Sequence, residues 1–446
     1  MQQPSHQKWM HYVDGNEKLS KLTIPGTHDS GTYPSDLESA KCQGMTLEQQ
    51  LNAGIRFIDI RLTFGFEDDG LLWVAHGIDS FLGLNFETDI IGTCKKFLSQ
   101  NPSETILMSI KNESLTEKWG DDAKFYGDLS AIINRSKTIF YLKESMPALQ
   151  EVRGKIVLFR RFPVKINMIP GTKPHDPPRP ATPILANNGL NIYDHFPADD
   201  AAPFTNASIK YYVQDRYFRW SGGSNRSEKF TAWVAPTLNK AAAVTEQDTC
   251  YINFTSATGR FGGALPFTST PLDLAKTVVP LFNNYLSSNP PHRFGIIPMD
   301  FPELTPYLIT QLIHCNYQNP MVFPRLRNRS NGAEYLNFDG KLHHIPNPAI
   351  AANLFKKDWD WQSIPNFNFT PAPACTGVPL LNGKLLSFSG RPELYICYNI
   401  AGSSRPVLRH ILNPSTQNAY GLFGTINPVP EATKGNYEFL SPISWQ

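Results

Sequence analysis

The sequence predicts an α/β fold, a distorted (βα)8-type barrel followed by a small C-terminal module containing two similar repeats. Short apolar runs bounded by Gly, Pro, Asn or Asp recur from Leu22 to Ile297, and helix-like stretches separate several of them. An internal similarity beyond residue 325 marks the module.

The runs are Leu22–Ile24, Arg56–Arg61, Leu71–Ala75, Thr105–Ile110, Lys155–Phe159, Tyr211–Gln214, Tyr251–Phe254 and Phe294–Ile297. Runs this short, and this rich in β-branched and aromatic residues, read as buried strands. Between the third and fourth, Phe86, Ile90, Ile91, Cys94 and Phe97 are spaced as one face of a helix over Glu87 to Gln100. Strands alternating with helices point to a barrel with its chemistry at the C-terminal ends of the strands. The Pro-rich stretch Pro163 to Pro203 is weakly periodic and reads either as an excursion over the barrel mouth or as a surface loop.

In the module, Tyr335-Leu336 through His344-Ile345-Pro346-Asn347-Pro348 to Leu354-Phe355 parallels Tyr395-Ile396 through His410-Ile411-Leu412-Asn413-Pro414 to Leu422-Phe423. Asn-Pro suits an N-cap followed by the first helical residue, so each copy should run from a strand or hairpin into a short helix. His344 and His410 read as packing histidines rather than metal ligands. Domains are therefore expected at 1–324, the barrel, and 325–446, a duplicated module with a binding role.

The chain has 446 residues, of which 41% are hydrophobic and 18% charged, which excludes a disordered chain or a coiled coil. A net charge of +2 gives no basic field of the kind nucleic-acid binders show. No apolar stretch approaches a membrane span, and the polar start Met1-Gln2-Gln3-Pro4 is not a signal peptide. Cys42, Cys94, Cys250, Cys315, Cys375 and Cys397 show no C-x-x-C spacing, which argues against structural zinc and leaves disulfides open. Sequons at Asn134, Asn206, Asn225, Asn328 and Asn368 lean towards a secreted, extracellular protein, with a cytoplasmic one as the alternative; those at Asn112 and Asn253 fall on inward strands and should stay unmodified.

Chemistry concentrates in Ile24-Pro25-Gly26-Thr27-His28-Asp29-Ser30-Gly31-Thr32, where a strand should deliver His28 and Asp29 to the barrel rim. Polar residues close the other runs in succession: Asp59 and Arg61, His76, Lys111 and Glu113, Arg161, Asp215 and Tyr217, and Asp300. Charged groups in apolar surroundings are costly unless they form a site. Two histidines that titrate near neutrality suit an acid and a base on opposite sides of a reacting phosphorus.

In order, IPGTHDSGTY, GIRFIDIRL, VAHG, PSETILMSIKNE, RGKIVLFRRF, VQDRY, YINFTS and GIIPMDF resemble the bacterial phosphatidylinositol-specific phospholipases C and their X-domain relatives, from about residue 20 to 315. The resemblance implies cleavage of phosphatidylinositol to diacylglycerol and inositol 1,2-cyclic phosphate. It assigns His28 as base oriented by Asp300, His76 as acid helped by Asp29, and Arg61 as the cation on the phosphoryl oxygens. It places Asp59, Lys111, Glu113, Arg161, Asp215 and Tyr217 on the inositol. Calcium-dependent animal relatives carry Asp where this chain has Arg61 and Asn where it has Asp29, so neither metal nor other cofactor is expected. The implied partners are phosphatidylinositol in membranes and glycosylphosphatidylinositol anchors, met by a monomer through transient contact with the membrane surface. Tyr33, Leu37 and Met45 are candidates for insertion.

Two other readings compete. A glycerophosphodiesterase or sphingomyelinase-D-like barrel also uses two histidines but needs metal-binding carboxylates, which Arg61 opposes. A lipid- or glycan-binding protein with an inactive barrel normally lacks a catalytic group, and none is missing here.

Overall fold

The computed structural model describes residues 6–64, 70–77, 81–113, 121–162, 189–193, 204–217, 223–244, 248–259, 269–289, 292–355, 364–443 and 445. The chain divides into two compact units, His6–Asn316 and one built on Tyr317–Gln446. The division falls before the expected 324. Asn316 belongs to the first unit because its side chain accepts from the backbone of Thr23 at 2.7 Å and donates to the Thr23 carbonyl at 2.7 Å. Tyr317 instead packs against Phe323, with tilted rings whose centroids are 4.7 Å apart.

The first unit is built on β1 (Ile24–Thr27), β2 (Phe57–Phe64), β3 (Leu72–Val74), β4 (Ile106–Asn112), β5 (Phe140–Tyr141), β6 (Ile156–Arg161), β7 (Leu190–Asn191), β8 (Phe204–Asn206), β9 (Ile209–Gln214), β10 (Thr249–Asn253) and β11 (Ile296–Met299). Hydrogen bonding runs β5-β6-β4-β2-β1-β11-β10-β9-β8, with β3 branching from β2 and β7 from β6. The sheet is mainly parallel and every residue of β1, β6, β10 and β11 is buried, as expected of strands covered on both faces. Helices such as Gly92–Gln100 and the Thr270-capped Pro271–Ser288 connect the strands and bury one face each.

The distorted eight-stranded barrel that the sequence predicts is met in part, as a curled half-barrel. Among the described residues the two ends of the strand path are not paired; a side-chain bond from Asn206 to the Asn191 carbonyl, at 3.5 Å, links β8 to β7. One of the eight expected strands is also not a stave. The Leu71–Ala75 run becomes β3, which pairs antiparallel with the outer end of β2, Leu62 opposite Val74. It is a hairpin return, and that return carries His76 back to the rim, where the amide of Ala75 bonds the Arg61 carbonyl at 3.1 Å. The Pro163 to Pro203 stretch lies outside the described residues except for 189–193.

At the N-terminal ends of the strands, Arg56 and Glu104 form a fully buried ion pair at 2.8 Å. The remaining Arg56 protons go to the carbonyls of Leu51, Ile55, His6 and Gln7. A buried charge satisfied this completely is a structural plug rather than a reactive group.

The second unit contains two sheets, β14-β13-β12-β15 and β19-β16-β17-β18-β20. Their strands are β12 (Arg325–Asn328), β13 (Glu334–Phe338), β14 (Lys341–Ile345), β15 (Asn366–Phe367), β16 (Leu381–Phe388), β17 (Leu394–Asn399), β18 (Val407–His410), β19 (Ile426–Val429) and β20 (Glu438–Phe439). In each sheet three sequential antiparallel strands lead to a helix whose Asn cap, Asn347 or Asn413, accepts from the third helical amide. In each, a later strand then pairs parallel to the first, β15 with β12 and β19 with β16. Tyr335 pairs across the strands with His344, and Tyr395 with His410. Both sheets contribute to one core that includes Leu336, Leu354, Leu385, Ile396 and Leu422. The Leu-Phe closures differ, since Phe355 is buried and Phe423 is 41% exposed. Asn328 is buried and donates to the Phe369 carbonyl, which makes its sequon a poor acceptor. All six cysteines are free. No helix among the described residues is long and apolar enough to cross a membrane.

Candidate active site

The close approach of backbones builds the rim. A Cβ at Gly26 would meet Phe57 at 2.9 Å, and one at Gly31 would meet Val74 at 2.6 Å, so β1 and its following turn lie directly against β2 and β3. His28 and Asp29 follow β1 immediately, and Asp29 takes a left-handed conformation, φ 43°, which a short polar residue tolerates. Asp300 follows β11 in the same way, ahead of Phe301 at φ 42°. A bulky residue there is strained, and a bond from its amide to the Cys42 carbonyl at 3.1 Å holds it. Across adjacent strands Arg61 stands opposite Lys111, and Lys111 opposite Arg161, which sets a row of cations at one level.

His28 Nδ1 lies 2.9 Å from Asp300 Oδ1, and its Nε2 lies 2.7 Å from Arg61 Nη2. A guanidinium only donates, so Nε2 is the acceptor and the ring proton sits on Nδ1, facing Asp300. Burial, reinforced by Arg61, holds the His28 pKa well below its usual value. His76 Nδ1 lies 2.7 Å from the Ala40 carbonyl, which only accepts, so this nitrogen carries a proton. Its Nε2 is 3.2 Å from Asp29 Oδ2, the same oxygen that lies 3.1 Å from His28 Nε2. Burial raises the Asp29 pKa to about 6, against the opposing pull of Arg61 and His76. Burial and the Asp29 charge likewise push Asp300 well above the ordinary carboxylate range.

Arg61 is the hub. Its Nε is 2.6 Å from Asp29 Oδ1 and 3.6 Å from Asp59, and its Nη1 is 3.6 Å from Glu113. Glu113 also pairs with Lys111 at 2.6 Å; although burial opposes it, these two cations hold Glu113 at about 2. Arg161 lies 3.0 Å from Asp59 and 3.6 Å from Asp215. All five expected catalytic residues and five of the six expected substrate contacts therefore form one connected cluster. Tyr217 follows Asp215 on the same segment, with its carbonyl taking the Thr258 amide at 2.8 Å. Asp59 is the most deeply buried of the expected substrate contacts. It is fully buried and occupied by Arg161, Arg61 and Ser109, so it supports the two arginines from below instead of facing the opening.

The family described as phosphatidylinositol-specific phospholipase C, X domain, matches residues 16–162. A 1-phosphatidylinositol phosphodiesterase of Listeria monocytogenes is 30% identical over 66% of this chain and 81% of its own length. The chain belongs to the phosphatidylinositol-specific phospholipase C family. A Staphylococcus aureus 1-phosphatidylinositol phosphodiesterase is 26% identical over 68% of this chain and 90% of its own. The structure of a mutant of the S. aureus phosphatidylinositol-specific phospholipase C matches 71% of this chain and 99% of its own at 25% identity, with a TM-score of 0.56.

Three neighbours of the cluster escape a reading of the sequence of this phospholipase C family member. Phe254 meets the His28 ring edge-to-face at 5.9 Å and lies under the Arg161 guanidinium at 5.6 Å. Its place in YINFTS, directly after β10, was a usable signal. Lys229 is fully buried, bonds Gln214 Oε1 and the Arg216 carbonyl, and is lowered to about 7 by burial against the pull of Asp215 and Asp300. Cys42 lies within ligand distance of both histidines. Neither residue carries a sequence signal, because each reaches the site from a loop or helix whose course only the fold reveals.

Proposed function

We propose that this chain is a phosphatidylinositol-specific phospholipase C that cleaves its substrate without a metal, using His28 as base and His76 as acid. The observation that carries the reading is that an oxygen fixes Nδ1 of each histidine, leaving both Nε2 atoms turned towards Arg61 and Asp29. The inositol 2-hydroxyl gives its proton to His28 Nε2 as its oxygen attacks phosphorus. The glycerol oxygen departs as the P–O bond breaks and takes the proton shared between His76 Nε2 and Asp29. Diacylglycerol and inositol 1,2-cyclic phosphate result, and the proton count balances. Water can reopen the cyclic product with the two histidines in exchanged roles.

Arg61 serves the phosphoryl oxygens, where its planar fork suits the geometry. Its nitrogens already neutralise Asp29, Asp59 and Glu113, the carboxylates that a calcium ion would need, which supports a metal-free reaction. Lys111, Glu113, Arg161, Asp215 and Tyr217 would take the inositol; Asp215 Oδ1 is buried with no hydrogen-bond partner among the described residues, the state of an acceptor awaiting a hydroxyl. Membrane contact is assigned to Leu37, Phe81 and Tyr193, which are 45%, 36% and 38% exposed on segments following β1, β3 and β7. Glycosylphosphatidylinositol anchors present the same scissile bond. The matching order of the two C-terminal sheets supports a duplicated module, to which we assign a binding role.

The test is hydrolysis of phosphatidylinositol vesicles with and without a chelator, alongside His28→Ala. Activity should survive chelation and fall by about 10² or more in the variant. Loss under the chelator would refute the metal-free reaction, and full activity in His28→Ala would refute the mechanism.

A further inference from the structure

We propose that Cys42, Asp29 and His76 form an inhibitory site for a borderline-soft divalent cation such as Zn2+, which silences the enzyme from inside its own catalytic cleft. The proposal rests on the acid–base reading above. The three side chains offer a thiol sulfur, a carboxylate oxygen and an imidazole nitrogen, all within 4.8 Å of one another. Zinc bonds of about 2.0–2.3 Å place tetrahedral ligands about 3.3–3.8 Å apart, so a movement of about 1 Å closes the set.

The support around these ligands is already built. The Ala40 carbonyl accepts from His76 Nδ1 at 2.7 Å, which leaves Nε2 for a metal, the arrangement that zinc-binding histidines require. In the unoccupied site the same carbonyl accepts from Cys42 Sγ at 3.7 Å, a bond that metal binding gives up with the thiol proton. Thr32 Oγ1 accepts from the Cys42 amide at 3.0 Å and donates to the Asp29 carbonyl at 2.8 Å, tying the third ligand to the first. Arg61 occupies Oδ1 of Asp29 and leaves Oδ2 facing His76.

Burial and the charges of Asp300 and Asp29 push the Cys42 thiol well up, so the unoccupied thiol stays protonated and unreactive. Binding releases the thiol proton and the proton shared by Asp29 and His76, and the metal–sulfur and metal–nitrogen bonds take their places. Because that second proton is the one owed to the leaving group, an occupied site cannot turn over. Three protein ligands leave a fourth position open, and the hard ions Ca2+ and Mg2+ gain little from sulfur.

The full chain is assayed on phosphatidylinositol vesicles with Zn2+, with Ca2+ or Mg2+ as controls, beside Cys42→Ser and Cys42→Ala. Zn2+ alone should inhibit, reversibly on chelation. Both variants should keep their metal-free activity and need at least about tenfold more Zn2+. Co2+, bound to the full chain without substrate, should give a thiolate-to-metal absorption band that both variants lack. Equal Zn2+ sensitivity in a folded variant, or no thiolate band in the parent chain, overturns the site. Two variants guard against one that fails to fold. Since the Co2+ band needs no turnover, a chain inactive on phosphatidylinositol would refute the catalytic reading while leaving this test intact.

Discussion

His76 Nε2 and Asp29 Oδ2 lie 3.2 Å apart while the other nitrogen of His76 is committed to the Ala40 carbonyl. The same oxygen lies 3.1 Å from His28 Nε2, which accepts from Arg61, so we assign one proton to this junction, carried by Asp29 Oδ2 or His76 Nε2. The carbonyl, rather than the carboxylate, fixes the tautomer, and Asp29 is a co-owner of the proton.

If that proton goes to the leaving oxygen, the loss in His76→Ala depends on the leaving group. Vesicular phosphatidylinositol, whose diacylglycerol would have to leave as a poor alkoxide without that proton, should be cleaved about 10²–10⁴-fold more slowly. An inositol phosphate ester with an aryl leaving group needs no protonation and should lose far less. A steady-state comparison of the two substrates decides it, and equal losses on both would remove His76 from the acid role.

Arg61 determines where activity fails in acid. The base works only when neutral, and burial together with Arg61 holds His28 well below its ordinary 6.5. Half-maximal kcat/KM on the acid side should therefore fall below pH 6.5. Arg61→Gln should move this limb upwards and, by removing the phosphoryl contact, slow the reaction by about 10²–10³-fold. A pH–rate profile in which the limb stays put would separate the arginine from the base.

How much of this was legible follows from where each residue gets its position. His28, Arg61, Lys111, Arg161, Asp215 and Asp300 lie on or directly after strands, so local runs placed them at one rim. His76 was identifiable as a residue but not its route, because the three-residue run of β3 looks the same as a stave or as a hairpin return. The open seam was hidden for a similar reason, since β5, β7 and β8 are two or three residues long and carry no periodicity. Arg56 appeared as one of three charges in the Arg56–Arg61 run, and its partner Glu104 is 48 residues away.

Asp29 also shapes stability. Its folded pKa of about 6 exceeds the usual 3.8, so between those values the folded chain holds more protons than the unfolded one. Stability from this group is present in acid and is lost as pH rises through 6. Relative to Asp29→Asn, the parent chain should melt progressively lower as pH is raised from 4 to 7 while the variant loses activity. A melting difference independent of pH would show that Asp29 is ionised throughout.

Lys229 gives the opposite slope. Its folded value of about 7 lies below the ordinary 10.5, so between them the unfolded chain binds the extra proton and stability rises with pH. Lys229→Met keeps the chain length and removes the titration. Thermal melts at pH 7 and pH 10 should show the parent chain gaining on the variant across that interval. Because Lys229 interacts through its charge with Asp215 and Asp300, the variant should also raise KM more than it lowers kcat if the lysine acts mainly through Asp215 on the inositol. A change confined to kcat would instead assign it to the Asp300–His28 pair, and no change in either would leave the amine a purely structural group.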